Sequence, residues 1–384
     1  MYTFPVLVSF LVSIVIPFIG SPWIPQVFLD KGIDANVLSY PTLYICLLAI
    51  WLIWAPRSSE LRFVVDSTAD RNYFEHKLAI WLVVCVWCLR ISYFIFERDS
   101  IYVDVGSNTL SFLQYLYVEM IFRLYPLVLI LILLNIEKKI SVILIFFEIL
   151  YGIFIFSKFI VIIAFIGGLY LFRDQIKFYL SKYKVFFPAV ISLSIFLFFT
   201  TLHAIFGELR LQDGLFSNIR FEFSSQIFNG MSRLQSVSSI FFAEQILEEY
   251  LFGKSFCVIL GFSVPDWFYS LPYTCRNIDE DTKLIYLGVT DHRIINKDLF
   301  SFWGEPYVNF GVFGFIFIVG YCSLATVMMK RLGSNRYGFA LYAVFLINTL
   351  ISHQSFSLSI RNIFLSFVIL FFLQQISRRK AAST

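Results

Sequence analysis

Residues 140–172 read ISVILIFFEILYGIFIFSKFIVIIAFIGGLYLF, and only Glu148 and Lys158 in this run carry charge. The hydrocarbon core of a bilayer, about 30 Å thick, takes about 20 apolar residues at a helical rise of about 1.5 Å each. The run is therefore read as two consecutive crossings, 140–157 and 159–172, joined at Ser157 and Lys158. The second is short, so the pair is expected to form a hairpin whose turn is sunk below the surface. Working outward, further apolar runs at 4–20, 38–55, 78–96, 112–136, 185–202, 308–329, 337–352 and 360–376 complete about ten spans. The first run lacks a basic flank and a small-residue cleavage site, and is expected to be a retained span.

Composition agrees. The 384 residues are 59% hydrophobic with a mean hydropathy of +0.77, and 15% are charged, against about 25% in soluble domains. A water-soluble chain is excluded by this balance, and no nucleic-acid reading follows from the net charge of +4. The cysteines carry no metal-site spacing. Cys85 and Cys88 form a CxxC inside an apolar run, where they read as small apolar residues rather than a redox pair. Cys257 and Cys275 fall in the largest polar segment, where an oxidising compartment could join them.

Short cytoplasmic loops carry an excess of Lys and Arg, which tests the span count. Alternate loops contain Arg57, Arg62, Arg71 and Lys77, then Lys138 and Lys139, then Arg173, Lys177, Lys182 and Lys184, then Lys330, Arg331 and Arg336. The tail adds Arg378, Arg379 and Lys380. Both termini are thus assigned to the cytoplasm and the stretch 203–307 to the opposite side. The expected organisation is a membrane bundle of about seven spans over 1–202, a partly helical extracytoplasmic subdomain over 203–307, and about three spans with a basic tail over 308–384. Within the loop, apolar residues at Ile227, Met231, Leu234, Val237, Phe241 and Leu247 predict an amphipathic helix.

Charges inside spans cost about 2.5–3.5 kcal/mol on insertion scales, so each needs a partner or a task. Arg90, Glu119, Arg123 and Glu148 are such charges. Glu119 and Arg123 lie one turn apart and are expected to pair. Two readings stay open for the group: ion pairs that fix packing, or the lining of a polar cavity. In the loop, Arg220 and Arg233 flank the start of the predicted helix, where a guanidinium fork suits a phosphate at the membrane surface. Lys158 stands at a tight turn where a lipid phosphate would sit, and snorkelling to headgroups would place it there equally. Glu305, at the boundary of the span 308–329, reads either as a general base or as the acceptor of a structural hydrogen bond from loop backbone, and His292, in the cluster Asp291, His292 and Arg293, is a second candidate base, with His353 a third. His353, Gln354 and Arg361 form a further group facing the same side.

Three stretches, SKFIVIIAFIGGLYLF (157–172), NIRFEFSSQIFNGMSRLQSV (218–237) and GEPYVNFGVFGFI (304–316), together with the span layout, resemble the Wzy-type polymerases of bacterial O-antigen and capsule repeat units. These belong to the polyprenol-dependent, GT-C-like membrane glycosyltransferases. The resemblance implies an all-α, polytopic inner-membrane enzyme that moves a growing glycan from one undecaprenyl diphosphate carrier to a sugar hydroxyl on another. Its partners would be the lipid-linked donor and acceptor, membrane lipids and a chain-length regulator. It implies no cofactor and no metal, with Lys158, Arg220, Arg233 and Arg361 holding the diphosphate, and Glu305 or His292 as base. An O-antigen ligase shares this architecture, but ligases carry a His-Asn pair where His292 is followed by Arg293. A transporter using Arg90, Glu119, Arg123 and Glu148 as its pathway is the rival from another class.

Overall fold

The computed structural model describes residues 3–15, 39–54, 73–96, 124–154, 158–171, 240, 302–350 and 356–383. Among them there is no strand. Helix α1 (Thr3–Phe10) passes into wider π-type turns at Leu11–Val15. It is followed by α2 (Ser39–Trp54), α3 (Tyr73–Phe96), α4 (Tyr125–Asn135), α5 (Lys138–Phe154) and α6 (Lys158–Leu171). The C-terminal part contributes α7 (Gly304–Phe310), a 3₁₀ turn at Gly311–Phe313, α8 (Gly314–Leu332), α9 (Arg336–Leu350) and α10 (Phe356–Ser383). The apolar stretches Glu75–Tyr93, Gly304–Leu332 and Phe356–Arg379 are long enough to cross a membrane. The chain is an all-α membrane protein.

Helix α9 lies at the centre, packed against α1, α4, α8 and α10. Helix α4 also touches α3, α5 and α6, and α5 and α6 pair as the expected hairpin. Burial along each helix follows from this placement. On α4, every residue from Tyr125 to Leu133 is buried, as an apolar helix enclosed by neighbours must be. On α5, only Ser141, Leu144, Ile145, Glu148 and Gly152 turn inward, at helical spacing, while Ile143, Phe146, Phe147, Leu150 and Phe154 face outward. The polar and small residues Ser141, Glu148 and Gly152 thus point in beside Leu144 and Ile145, while the outward face from Ile143 onward is large and apolar, the arrangement that a lipid solvent favours.

Several expected spans change at their ends. Helix α4 starts at Tyr125 with Pro126 in its first turn, where the missing N–H leaves no intrahelical bond unmade; the part 112–123 of the expected span 112–136 lies outside the described residues. Helix α3 begins at Tyr73, five residues before the expected 78, and so takes Glu75 and His76 into the helix. The expected span 308–329 is interrupted. Gly311 adopts φ 57° and ψ −137°, a backbone that side chains with a Cβ rarely reach. Beyond it, Gly314 sits so close to Pro306 that a Cβ there would lie 2.4 Å from the Pro306 carbonyl oxygen. The chain folds back on itself at this point, and Phe310 stacks on Phe317 with ring centroids 4.2 Å apart.

The α8–α9 turn is set by two capping residues. Gly333, at φ 84°, donates its N–H to the carbonyls of Met329 and Lys330 at 3.0 and 3.1 Å. Asn335 Oδ1 then accepts the N–H groups of Tyr337 and Gly338 at 3.0 and 3.2 Å and opens α9. Span 185–202 and the predicted loop helix fall outside the described residues, apart from Ile240, which is helical and fully buried. Cys46, Cys85 and Cys88 are exposed on their helices, Cys322 is partly covered, and all four are free thiols. Cys257 and Cys275 lie outside the described residues.

Candidate functional site

The polar groups of the described residues gather in three places. The first lies where α7 meets the start of α10. Glu305, 1% exposed, accepts the Ser357 N–H at 2.7 Å through Oε2. That N–H belongs to the first turn of α10, which has no intrahelical acceptor of its own, and the positive end of a long helix favours an anion there. Arg361, also buried, lies one turn further along the same face of α10 as Ser357. Asn309 Nδ2 donates to the Glu305 carbonyl at 2.8 Å, and Asn362 Nδ2 reaches Asn348 Oδ1 at 3.4 Å. Ser359, Asn348, Thr349 and Asn362 are all buried nearby in sequence on the end of α9 and the start of α10.

Trp303 anchors this region from two sides. Its carbonyl accepts the Tyr44 hydroxyl at 2.8 Å, and its Nε1 donates to Ser9 Oγ at 3.2 Å. Ser9 in turn donates to the Thr349 carbonyl. Phe302 meets Trp303, Tyr321 and Phe356 with ring centroids 5.1, 5.5 and 5.5 Å apart. The residues that lead into α7 are therefore fixed against α1, α2, α8 and α10, and Glu305 is held by a rigid frame.

The second place is the interior of the α3, α4 and α5 group. Arg90 Nη1 and Nη2 donate to the two Glu148 oxygens at 2.7 Å each, a bidentate pair with side-chain exposures of 1% and 2%. Tyr125 donates its hydroxyl to Glu148 Oε2. The rings of Trp87, Tyr125 and Tyr151 surround the guanidinium at 5.0, 5.1 and 4.2 Å from their centroids. The carboxylate is thus fully engaged, and the cation is enclosed by aromatic faces.

The third place was not singled out in the sequence. Glu75, at the start of α3, accepts hydrogen bonds from Arg336 and from the Tyr337 hydroxyl, and from Ser377 Oγ at 3.1 Å. Arg336 Nη1 also reaches Asn135 Oδ1 at 3.3 Å, and the His76 ring nitrogen lies 3.0 Å from the Asn135 carbonyl. The start of α3, the end of α4, the start of α9 and the end of α10 are tied in one knot. Ser357 and Ser377 are twenty residues apart on α10, about 30 Å of helix. The Glu305 and Glu75 clusters are thus separated along α10 by about the thickness of a bilayer core.

No family model, curated protein or solved structure matches the chain.

Of the candidate residues, the structure brings Glu305 and Arg361 into one buried region, and it pairs Arg90 with Glu148. Lys158 is the first residue of α6, at the turn expected for it. His292, His353, Arg220, Arg233, Glu119 and Arg123 lie outside the described residues, and so does the expected Glu119–Arg123 pair. Glu75 was passed over because a charge three residues before an apolar run reads as loop. Its partners at Arg336 and Tyr337 are 261 and 262 residues away. The one available sequence indication was the run Tyr73 to Lys77, whose residues continue the helical register of α3.

Proposed function

We propose that this chain is a polyprenol-dependent, GT-C-like membrane glycosyltransferase that polymerises undecaprenyl-diphosphate-linked repeat units of a bacterial surface polysaccharide. In this reading about ten spans cross the inner membrane, both termini are cytoplasmic and 203–307 is periplasmic. The observation that carries it is the Glu305 region: a buried carboxylate and arginine at the end of the bundle away from the basic knot, reached directly from the C-terminal end of the large loop. The acceptor hydroxyl oxygen attacks the anomeric carbon of the donor. The bond from that carbon to the diphosphate breaks, the hydroxyl proton passes to a base, and undecaprenyl diphosphate departs. Glu305 and His292 are the rival bases, and Arg361, Lys158, Arg220 and Arg233 are the cations that offset charge on the leaving group. A metal or cofactor forms no part of the proposal.

The test is the polysaccharide gel profile of a strain lacking the gene, complemented with wild type, Glu305→Gln or Arg361→Ala. Core plus one repeat without the gene, and a ladder restored only by wild type, are expected. Core alone, with polymer accumulating on its carrier, would assign a ligase. Transport is a second reading, favoured by one observation: the break at Gly311–Phe313, since transporters place substrate at interrupted helices. An unaltered ladder in the deletion strain would favour it.

A further inference from the structure

We propose that the ends of α8 and α10 beside the Glu75 knot form a headgroup site for an anionic phospholipid. The two helices are packed together, and Gln374 Nε2 donates to the Leu332 carbonyl at 2.8 Å, fixing the level of one helix against the end of the other. Lys330 and Arg331 immediately precede Leu332 and are exposed. Arg378 lies four residues after Gln374 on the same face of α10, about 6 Å beyond the last turn of α8. Arg379 follows it, also exposed. Two pairs of cations therefore stand on adjacent helix ends.

Basic loops alone would only record how the chain was inserted. The knot changes what they are available for. Arg336 is committed to Glu75 and Asn135 and braces the helix ends in place. Among the described residues the only other acid at this end is Glu137, on the α4–α5 connection, with Lys138 and Lys139 beside it. Among the described residues, the four cations Lys330, Arg331, Arg378 and Arg379 on α8 and α10 thus outnumber the acids at this end. The carbonyls at the end of α8, which would repel an anion, are already capped by the Gly333 N–H. A phosphodiester without a compensating ammonium, as in phosphatidylglycerol, suits such a basic surface, and its acyl chains would lie along outward apolar residues such as Val327 and Phe372.

The experiment uses the full chain purified in neutral detergent, with bound lipid counted by native mass spectrometry after addition of phosphatidylglycerol or phosphatidylcholine of equal chain length. Phosphatidylglycerol is expected to bind and phosphatidylcholine not. At roughly fivefold per neutralised side chain, K330Q/R331Q and R378Q/R379Q should each weaken phosphatidylglycerol about thirtyfold. Equal binding of the two lipids, or unchanged binding by both double variants, overturns the proposal. Because loss of loop cations can disturb insertion, wild type is also measured as salt rises from about 0.1 M to about 1 M, where screening shortens from about 10 Å to about 3 Å. Binding that ignores salt overturns the proposal as well. Displacement by inorganic phosphate would assign these cations to a soluble anion and overturn the lipid assignment.

Discussion

Replacing Glu148 by alanine leaves the Arg90 guanidinium buried at 1% exposure without its two 2.7 Å acceptors. The surrounding Trp87, Tyr125 and Tyr151 side chains offer only neutral groups in place of the carboxylate. Cation–π contact is worth about 0.5–2 kcal/mol per favourable ring, whereas breaking a buried ion pair by removing one partner costs about 3–5 kcal/mol. Tyr125 loses its hydroxyl acceptor in the same step. At about 2–4 °C per kcal/mol, E148A should melt about 6–20 °C below wild type. The assay is thermal loss of the monodisperse detergent-solubilised protein, followed by size-exclusion chromatography. R90L/E148L, which removes both charges and fills the space with apolar atoms, should recover most of that loss. The coupling energy of the double-mutant cycle then separates the pair from its surroundings. Melting of E148A within about 2 °C of wild type, or a double variant no more stable than the worse single one, would refute the reasoning. If R90L/E148L is stable yet lacks polymer in the complementation assay, the pair belongs to the functional cavity rather than to packing alone.

Gly314→Ala should be the most damaging small substitution near the α7–α8 fold-back, costing more than about 2 kcal/mol by overpacking against the Pro306 backbone. Gly320→Ala, where nothing lies within 4 Å of the added atom, should leave the melting temperature unchanged in the same assay. Asn335→Ala removes the acceptor for two N–H groups at the start of α9 and should cost about 0.5–2 kcal/mol, measured in the same way. Glu75→Gln withdraws the charge that Arg336 and Tyr337 address and should cost about 1–3 kcal/mol. Limited proteolysis should then cut first near the helix ends at that knot, and an unchanged cleavage pattern would contradict the role given to Glu75.

Much of the helical layout was legible. The expected 38–55, 159–172 and 337–352 meet Ser39–Trp54, Lys158–Leu171 and Arg336–Leu350 with small shifts at the ends. Apolar length is a local property, and a bilayer imposes the same requirement on every span. One departure was also local in cause: Gly311 lies within the expected span 308–329, and its backbone interrupts the helix. The candidate site was less legible. Glu305 was visible as a boundary carboxylate that either acts as a base or accepts from backbone, but its backbone donor, the Ser357 N–H 52 residues away, was not.

The sequence by itself determined that the chain lives in a membrane as helices, and which helices are enclosed or outward-facing follows only partly from it. Tertiary structure alone decided the partners of the buried charges: Glu148 for Arg90 across 58 residues, and Arg336 for Glu75 across 261. The physical reason is that hydropathy is summed along the chain, whereas the cost of a buried charge is met by whichever helix comes to lie beside it. In an apolar solvent every helix face is acceptable to lipid, so composition does not specify neighbours. Close packing and the need to satisfy each charge do.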